Sequence, residues 1–450
     1  MKYLFLPIML FLQFHTVLAQ SEHTLGFMEN VFQSTYSNPA AIPDHYISVG
    51  LPGISSAYMG VTNTGFTYNQ LVRGDSFDIN NALKKSQKKN FVYAGVNVDI
   101  FHLRIKARTS FISFHISEKT DARFSYPKDL LSLAWQGNYQ FKGNKADLAS
   151  LGVDFNYYRE FGVGYVREGK KWNIGGTAKF LQGFVNAHVK NKNLNLKVAD
   201  QTYDLTAISN GSLNTSGMSS DFSDPKTYLM NNLTNFSNRG MAFDLGATYK
   251  HNDKWNFSFS VNNIGFIHWA KDVKNYNIQG GTTFDGIHYK VPNSNDTSHV
   301  NYTDSLKNSF KYTETAHKYT TWVIPQFYAR VKYNLTKKTM LNGSLSLERY
   351  KAFRTSATIG VTQKIGNIFS LLLTYTYQYR NLDNAGIGIV INPGPVQLYF
   401  VSDCILRTYS YSSHPFIIIP KDAKSINFRV GINLVFGRIR LPEKQTAPKK

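Results

Sequence analysis

The chain has 450 residues, and its 50 Lys and Arg residues against 29 Asp and Glu residues give a formal net charge of +21. Such a charge can indicate nucleic-acid binding, but the basic residues are spread along the chain and the sequence begins with an export signal, so we exclude nucleic acid as a partner. Charged residues make up only 18% of the chain and aromatic residues 14%, a composition that suits a membrane β-barrel with an apolar outer face and a polar interior.

Residues 1–19 have the pattern of a secretory signal peptide. Lys2 supplies a positive charge, residues 4–12 are almost entirely apolar, and Val17, Leu18 and Ala19 precede the expected cleavage site. The apolar run is too short for a membrane helix, which needs about 20 residues, and no later run is longer. The mature chain is therefore either a soluble exported protein or a closed β-barrel, since a closed barrel also satisfies its backbone within a bilayer.

Residues 44–437 alternate between apolar and polar side chains, as strands do when one face meets lipid and the other a polar lumen. This alternation is clear in residues 243–249, 255–261, 329–335 and 371–379. In the last strand the apolar face carries Ile426, Phe428, Val430, Ile432, Leu434 and Phe436, and the polar face carries Asn427, Arg429, Gly431 and Asn433. A soluble β-sandwich would also alternate, but it would not need so many strands with Phe, Tyr and Leu on one face and Asn, Ser and Thr on the other.

Short polar turns join these strands in pairs and favour antiparallel hairpins. The longer polar stretches 192–238 and 271–321 are expected outside the cell, because barrels of this class have short periplasmic turns and longer outer loops. The fold is therefore predicted to be all-β, a transmembrane antiparallel β-barrel of about 14 strands in the bacterial outer membrane. Two segments lie outside the pattern: the polar, irregular residues 20–43, and the basic tail 438–450, which is expected to be disordered or periplasmic.

Three parts of the sequence resemble known families. Ser37-Asn38-Pro39-Ala40-Ala41 resembles the asparagine–proline–alanine motif of the long-chain fatty-acid transporter superfamily of outer-membrane barrels. Residues 240–249 with 261–269, and the final strand 428–437, resemble a related Bacteroidota barrel family of unknown function. The resemblance spans most of the mature chain, from about Asn38 to Gly437.

This resemblance implies a plug-like role for residues 20–43, with Asn38, Pro39 and Ala40 in or beside the plug. In the fatty-acid transporters the N-terminal segment fills the lumen, and hydrophobic ligands leave sideways through the barrel wall. A relative in type IX secretion serves instead as a docking barrel for secreted proteins. No counterpart of the fatty-acid binding pocket is recognisable in this sequence.

The sequence contains no local motif for catalysis or for cofactor or metal binding. It lacks a nucleophile elbow, an H-E-x-x-H pair, a paired-cysteine site and a phosphate loop, so we predict that the protein is not an enzyme and uses no cofactor. The candidate site residues are charges on the polar faces of predicted strands: Asp244, Arg330, Lys332, Glu348, Arg380 and Arg429. They either pair with each other inside a filled lumen or line a path and set its selectivity.

Two functions are consistent with these features. The first is passive transport of small hydrophobic compounds, with outer-membrane lipid and a hydrophobic small molecule as partners. The second is a non-transporting accessory barrel that docks a partner protein, such as a secretion-system protein. An open hydrophilic pore fits less well, because about 14 strands and a segment able to block them differ from porins, which have about 16–18 strands.

Overall fold

The computed structural model describes residues 22–73, 76–202, 204–218, 234–284, 312–350, 352–378, 381–405, 409–411, 418–420 and 424–438. The predicted signal peptide and the tail beyond residue 438 lie outside these residues.

The described part of the chain is mostly β-strand, with a few short helices. The strands are, in chain order, β1 (His45–Gly50), β2 (Ala57–Asn63), β3 (Val72–Arg73), β4 (Ser76–Phe77), β5 (Lys89–Ala107), β6 (Ser110–Pro127), β7 (Lys145–Asp147), β8 (Gly152–Glu168), β9 (Trp172–Val198), β10 (Leu205–Ser216), β11 (Arg239–Lys250), β12 (Trp255–Trp269), β13 (Val273–Phe284), β14 (Tyr312–Thr315), β15 (Tyr319–Trp322), β16 (Gln326–Asn334), β17 (Thr339–Tyr350), β18 (Ala352–Ile365), β19 (Phe369–Gln378), β20 (Asn381–Ile391), β21 (Val396–Ser402), β22 (Tyr409–Tyr411), β23 (Ile418–Pro420) and β24 (Ser425–Arg438). The α-helices are α1 (Tyr68–Leu71), α2 (Ile79–Lys85) and α3 (Lys128–Gln136), and the 3-10 turns are Leu25–Phe27, Phe32–Tyr36 and Tyr139–Phe141.

Sixteen of these strands form one closed antiparallel ring with fourteen wall positions. Two positions are split between consecutive strands, β1 with β2 and β15 with β16. The ring runs β1/β2, β5, β6, β8, β9, β11, β12, β15/β16, β17, β18, β19, β20, β21 and β24. It closes where β24 pairs with both β1 and β2. The predicted antiparallel barrel of about 14 strands is therefore confirmed.

The outer surface of the ring is apolar because the strands alternate. On β11, Met241, Phe243 and Leu245 are 47–60% exposed, whereas Ala242 and Asp244 between them are at most 2% exposed. Successive side chains of a strand point to opposite faces, so the exposed apolar set faces outward and the buried set faces the lumen. A wall of this kind matches the lipid-facing surface of a membrane barrel.

Aromatic pairs mark one end of this apolar surface. The rings of Trp172 and Tyr249 are 4.6 Å apart between centroids, and so are those of Trp255 and Tyr333. All four residues lie at strand ends next to short turns. Girdles of this kind lie at membrane–water interfaces. Among the residues that the structure describes, no helix is both long and apolar enough to cross a membrane.

The turns that join wall strands at this end are all short, and the two ends of the ring lie here as well. His45 of β1 pairs with Arg438 of β24 there. The longer connections, including those that carry α1, α2 and α3, lie at the opposite end. Because outer-membrane barrels have short periplasmic turns and longer outer loops, we call these the periplasmic end and the outer end.

A five-stranded antiparallel sheet continues beyond the outer end. It has the order β7, β9, β10, β13, β14, and the last part of β9 belongs to it. The sequence assigned much of this region to outer polar stretches, with short strands expected only in the second. The difference has a physical reason: these strands carry mostly Asn, Lys, Ser and Thr, so they show no regular apolar alternation.

Candidate functional site

The N-terminal segment (residues 20–43, described from residue 22) lies inside the ring. Its contacts reach inward-facing side chains from one side of the ring to the other. The Thr24 amide donates to Asp403 Oδ1 (2.8 Å), and Gln33 Nε2 donates to Asn433 Oδ1 (3.2 Å). From the opposite side, Ser260 Oγ donates to the carbonyl oxygen of Ser37 (2.7 Å).

An apolar cluster also holds the segment against the wall. The segment contributes Leu25, Phe27, Met28 and Val31, and the wall contributes Leu372, Val390, Tyr399 and Val401 from β19, β20 and β21, all of them buried. These inward-facing apolar residues of the wall therefore pack against the N-terminal segment.

The Asn38-Pro39-Ala40 motif rests on two strands that carry glycine at the contact. Asn38 Nδ2 donates to Thr248 Oγ1 (3.2 Å), while its Oδ1 accepts from the Ala40 amide (3.0 Å). A Cβ added at Gly246 would lie 2.3 Å from Asn38 Oδ1, and one at Gly175 would lie 2.6 Å from the Pro39 carbonyl oxygen. The motif therefore fits because two neighbouring strands, β9 and β11, have no side chain there.

A cavity of about 800 Å³ lies on the outer side of the N-terminal segment. Glu22, Leu25, Tyr36 and Ser37 form its floor. Its charged lining is balanced, with the cations Lys119, Arg123, Lys179, Arg349 and Arg429 and the anions Glu22, Asp99, Asp121, Asp154 and Glu348.

Tyrosines line the same cavity and donate hydrogen bonds to two of its carboxylates. The Tyr36 hydroxyl donates to Asp99 Oδ2 (2.7 Å), and the Tyr93 hydroxyl donates to Asp121 Oδ1 (2.9 Å). Burial, together with the Asp99 carboxylate, raises the pKa of Tyr36 well above its ordinary value, so Tyr36 stays the hydrogen-bond donor. Arg429 and Arg123 lie over the rings of Tyr58 and Tyr93, each 5.2 Å from the centroid.

A buried charge network forms the wall on one side of the cavity. Glu160, 2% exposed, accepts from Lys119 Nζ (2.8 Å) and lies 2.9 Å from His115 Nε2. Lys179 Nζ lies 3.6 Å from Glu160 and 2.6 Å from Asp244 Oδ2. A chain of alternating charges thus runs through four neighbouring strands, β6, β8, β9 and β11.

The structure separates the charges that were predicted from the sequence. Glu348 and Arg429 line the cavity, paired with Arg123 (3.4 Å) and Glu22 (2.5 Å), while Asp244 pairs with Lys179 just behind it. Lys332 and Arg330 contact the N-terminal segment instead, through Glu29 and through the carbonyl oxygen of Ser37 (3.3 Å). Arg380 lies outside the described residues.

Sequence analysis missed the cavity charges on β6 and β8. Lys119, Asp121 and Arg123 face inward, but the outward positions on either side of Lys119, Glu118 and Thr120, are polar too, and Glu118 pairs with Arg159 on the same outer face. Because neither face is apolar, alternation gives no signal in this stretch.

The wall of the barrel is interrupted beside the cavity. β12 pairs with β16 up to Asn262 and with β15 from Phe266 onward. Residues 263–265 and 323–325 between these pairings, which we call the wall gap, are joined by one hydrogen bond, from the Val323 amide to the Gly265 carbonyl oxygen (3.0 Å). The cavity lining reaches through to two outward-facing side chains here, Ile264 (46% exposed) and Trp322 (76% exposed).

The charge network ends at the wall gap. Asn263 has a left-handed backbone (φ 60°), which asparagine adopts more readily than most residues. Its amide donates to Asp244 Oδ1 (2.7 Å), and its Oδ1 accepts from Lys179 Nζ (2.8 Å). The Lys179–Asp244 pair therefore fixes the residue at which β12 changes partner.

A closed ring, an apolar outer surface and a polar inner cavity define a transmembrane β-barrel of the outer-membrane type. The chain belongs to the family of unknown function DUF5723, which it matches over residues 39–403. Membership of a family of unknown function was expected from the sequence and is confirmed. No curated protein is similar to this chain in sequence.

Several solved barrels have a similar overall structure. The deltaS2S3 mutant of the TodX monoaromatic hydrocarbon channel gives a TM-score of 0.48 at 9% identity, over 90% of this chain and 95% of that chain. The P. putida toluene transporter TodX gives 0.46 at 11% identity, over 90% and 94%. A Pseudomonas aeruginosa FadL homologue gives 0.43 at 10% identity, over 93% and 96%. At these scores and identities the likenesses do not bear on function.

Proposed function

We propose that this protein is a passive outer-membrane channel for small compounds. A compound enters the cavity from the outer end and leaves sideways through the wall gap. The observation that carries the proposal is a cavity of about 800 Å³ that is floored by the N-terminal segment and whose lining reaches the exposed Ile264 in the wall gap and Trp322 beside it. This volume falls within the usual range of small-molecule sites, about 300–1,000 Å³.

The lining favours a neutral, amphipathic compound. Five cations and five anions line the cavity, so it offers little net attraction to an ion. Tyrosine rings, Leu25 and Ile267 supply apolar surface, while the paired charges supply hydrogen bonds. We therefore refine the small hydrophobic compound expected from the sequence to one with an apolar body and a few uncharged polar groups.

In this proposal the N-terminal segment is the plug that closes the straight path to the periplasm. Its polar contacts and its apolar cluster with β19, β20 and β21 support this role. A sideways exit then lets the apolar body of the compound pass directly into the bilayer.

Ligand retention tests the proposal. The purified protein is incubated with monoacylglycerols and phenyl glycosides, and with fatty acids and alkyl ammonium ions as charged counterparts, and bound masses are read by native mass spectrometry. We expect a neutral amphipath to be retained. Asn156→Trp, which fills the cavity, should abolish retention, and Val361→Trp on the exposed outer face should not. Retention by both variants, or by neither the protein nor its variants, would contradict the proposal.

A second candidate function is an accessory barrel that docks a partner protein. The five-stranded outer sheet supports it, because its edge strand β14 is short and exposed, with Tyr312 52% exposed. Exposed strand edges can pair with a strand of another chain. Photo-crosslinking from position 312 in intact cells should then capture one defined protein, and crosslinking from position 359 on the lipid-facing wall should not. Capture of no protein from position 312 would exclude this role for the sheet.

A further inference from the structure

Four exposed lysines and a fifth, half-buried one form a cluster at the outer end of the barrel. Lys84 and Lys85 end α2, and Lys88 and Lys89 lead into β5. Lys128 begins α3, and its amide donates to the Lys88 carbonyl oxygen (3.1 Å), which joins the two parts. We call these five residues the outer lysine cluster.

The acidic side chains within the same elements are occupied by backbone amides. Asp78 caps α2 by accepting from the Asn81 amide (3.0 Å), and Asp129 accepts from the Asp147 amide (2.8 Å). The one ion pair recorded for the cluster within the described residues joins Lys88 to Asp147 at 4.0 Å, and the Lys88 side chain is 81% exposed. The cluster therefore presents positive charge to its surroundings.

Exposed aromatic side chains accompany these lysines on the same short helices and turns. Phe77 and Tyr139 are 70% and 71% exposed, and Tyr68 and Trp135 are 41% and 45% exposed. The elements that carry them form one unit, because Gln136 Nε2 at the end of α3 donates to Asn80 Oδ1 in α2 (3.0 Å). Aromatic and basic side chains together are typical of a membrane–water interface.

We propose that the outer lysine cluster binds the phosphate groups of the anionic glycolipid in the outer leaflet. The cluster lies at the end of the barrel where those phosphates are, and the adjoining aromatic rings suit the boundary between sugar headgroup and acyl chain. Lysine binds phosphate as a point charge and needs no fixed geometry, which fits side chains that are exposed and free to adjust. This site is separate from the inner cavity, so its test is independent of the transport proposal.

Lipid binding by matched variants tests the site. One variant carries Lys84→Gln, Lys85→Gln, Lys88→Gln and Lys89→Gln. Its control carries Lys170→Gln, Lys171→Gln, Lys337→Gln and Lys338→Gln, which removes four exposed lysines at the periplasmic end. The full-length protein is titrated with bis-phosphorylated lipid A, and bound lipid is counted by native mass spectrometry. Retained heat-modifiable mobility on gels shows that each variant is folded.

We expect the outer variant to lose affinity for lipid A on the order of 100-fold, and the periplasmic control to change little, because each lysine near an anionic surface contributes to binding. Binding should weaken as salt rises, since exposed charges are screened. Equal loss in the two variants would overturn the proposal. Equal binding of dephosphorylated lipid A would also overturn it, because the phosphate groups would then contribute nothing to binding.

Discussion

At the scale of single residues, Lys179 shows how the lumen tolerates buried charge. It is 6% exposed and lies between Asp244 and Glu160. A buried carboxylate that loses its partner is costly, while the pair itself contributes less than its geometry suggests. Removing Lys179 should therefore cost more free energy of unfolding than the ion pair itself contributes, because Asp244 and Glu160 would stay buried without this cation.

Lys179→Met should destabilise the barrel by about 3–5 kcal/mol, because it leaves the Asp244 carboxylate buried without its cation. The measurement is the urea midpoint of the loss of barrel mobility on gels. Lys250→Met is the control, since Lys250 lies at a strand end, 3.9 Å from Glu168, and is more exposed. Adding Asp244→Leu to Lys179→Met should restore part of the lost stability. An unchanged urea midpoint in Lys179→Met would show that Lys179 does not compensate the buried carboxylates.

Gly246→Ala should displace the Asn38 motif from the wall. The new Cβ would lie 2.3 Å from Asn38 Oδ1 and 3.0 Å from the Ala40 amide nitrogen, and overpacking of this kind costs about 1–3 kcal/mol. Gly281→Ala is the control, because its nearest neighbours are 3.6 and 3.9 Å away. Protease sensitivity of the N-terminal segment should rise in Gly246→Ala alone, and equal sensitivity in both variants would refute the contact.

Single residues also mark the limit of sequence analysis. Asp244 was predicted to lie on a polar strand face because its neighbours Phe243 and Leu245 are apolar, and in the structure its side chain is buried while theirs are exposed. Its partner Lys179 was missed, because pairing between strands depends on register, which the alternation of one strand does not contain. Asn263 was missed as well, although an Asn-Asn pair inside a strand could have indicated a left-handed residue.

At the scale of elements, the wall gap depends on a bulge. Asp244 faces both Asn262 and Asn263, because the register between β11 and β12 shifts between Phe243 and Leu245. The extra residue re-aims the outer half of β12 toward β15. Bulges bend a strand and often mark functional sites. The sequence predicted β12 as a strand but not its change of partner, since a bulge leaves the local composition unchanged.

Asn263→Val should narrow or close the wall gap. A β-branched residue is strained in the left-handed region by about 1–2 kcal/mol, and valine also loses the hydrogen bond from Lys179. We expect slower release of a bound neutral amphipath into lipid nanodiscs, measured by a fluorescent analogue. Asn263→Gly keeps the backbone angle and should release at a rate close to the native one. Equal release rates in the two variants would show that the wall gap is not the exit path.

At the scale of the whole molecule, the N-terminal segment decides whether the ring encloses a path. A chain that lacks residues 22–43 should show discrete conductance steps in planar bilayers, whereas the full chain should stay closed, because the segment fills the periplasmic part of the lumen. A chain that lacks residues 439–450 is the control and should stay closed. The barrel mobility of each form on gels confirms folding, and a folded, shortened barrel without conductance would show that the segment is not the barrier.

The contacts of this segment also constrain how the protein is made. Glu22 pairs with Arg429, 407 residues further along the chain, and Gln33 pairs with Asn433 on the same last strand. Both pairs form only when β24 joins β1 and β2 to close the ring. The last strand must therefore be synthesised before residues 22–33 can make these contacts. The two ends of the chain thus depend on each other, since the first described residues reach their final contacts only against the last strand of the ring.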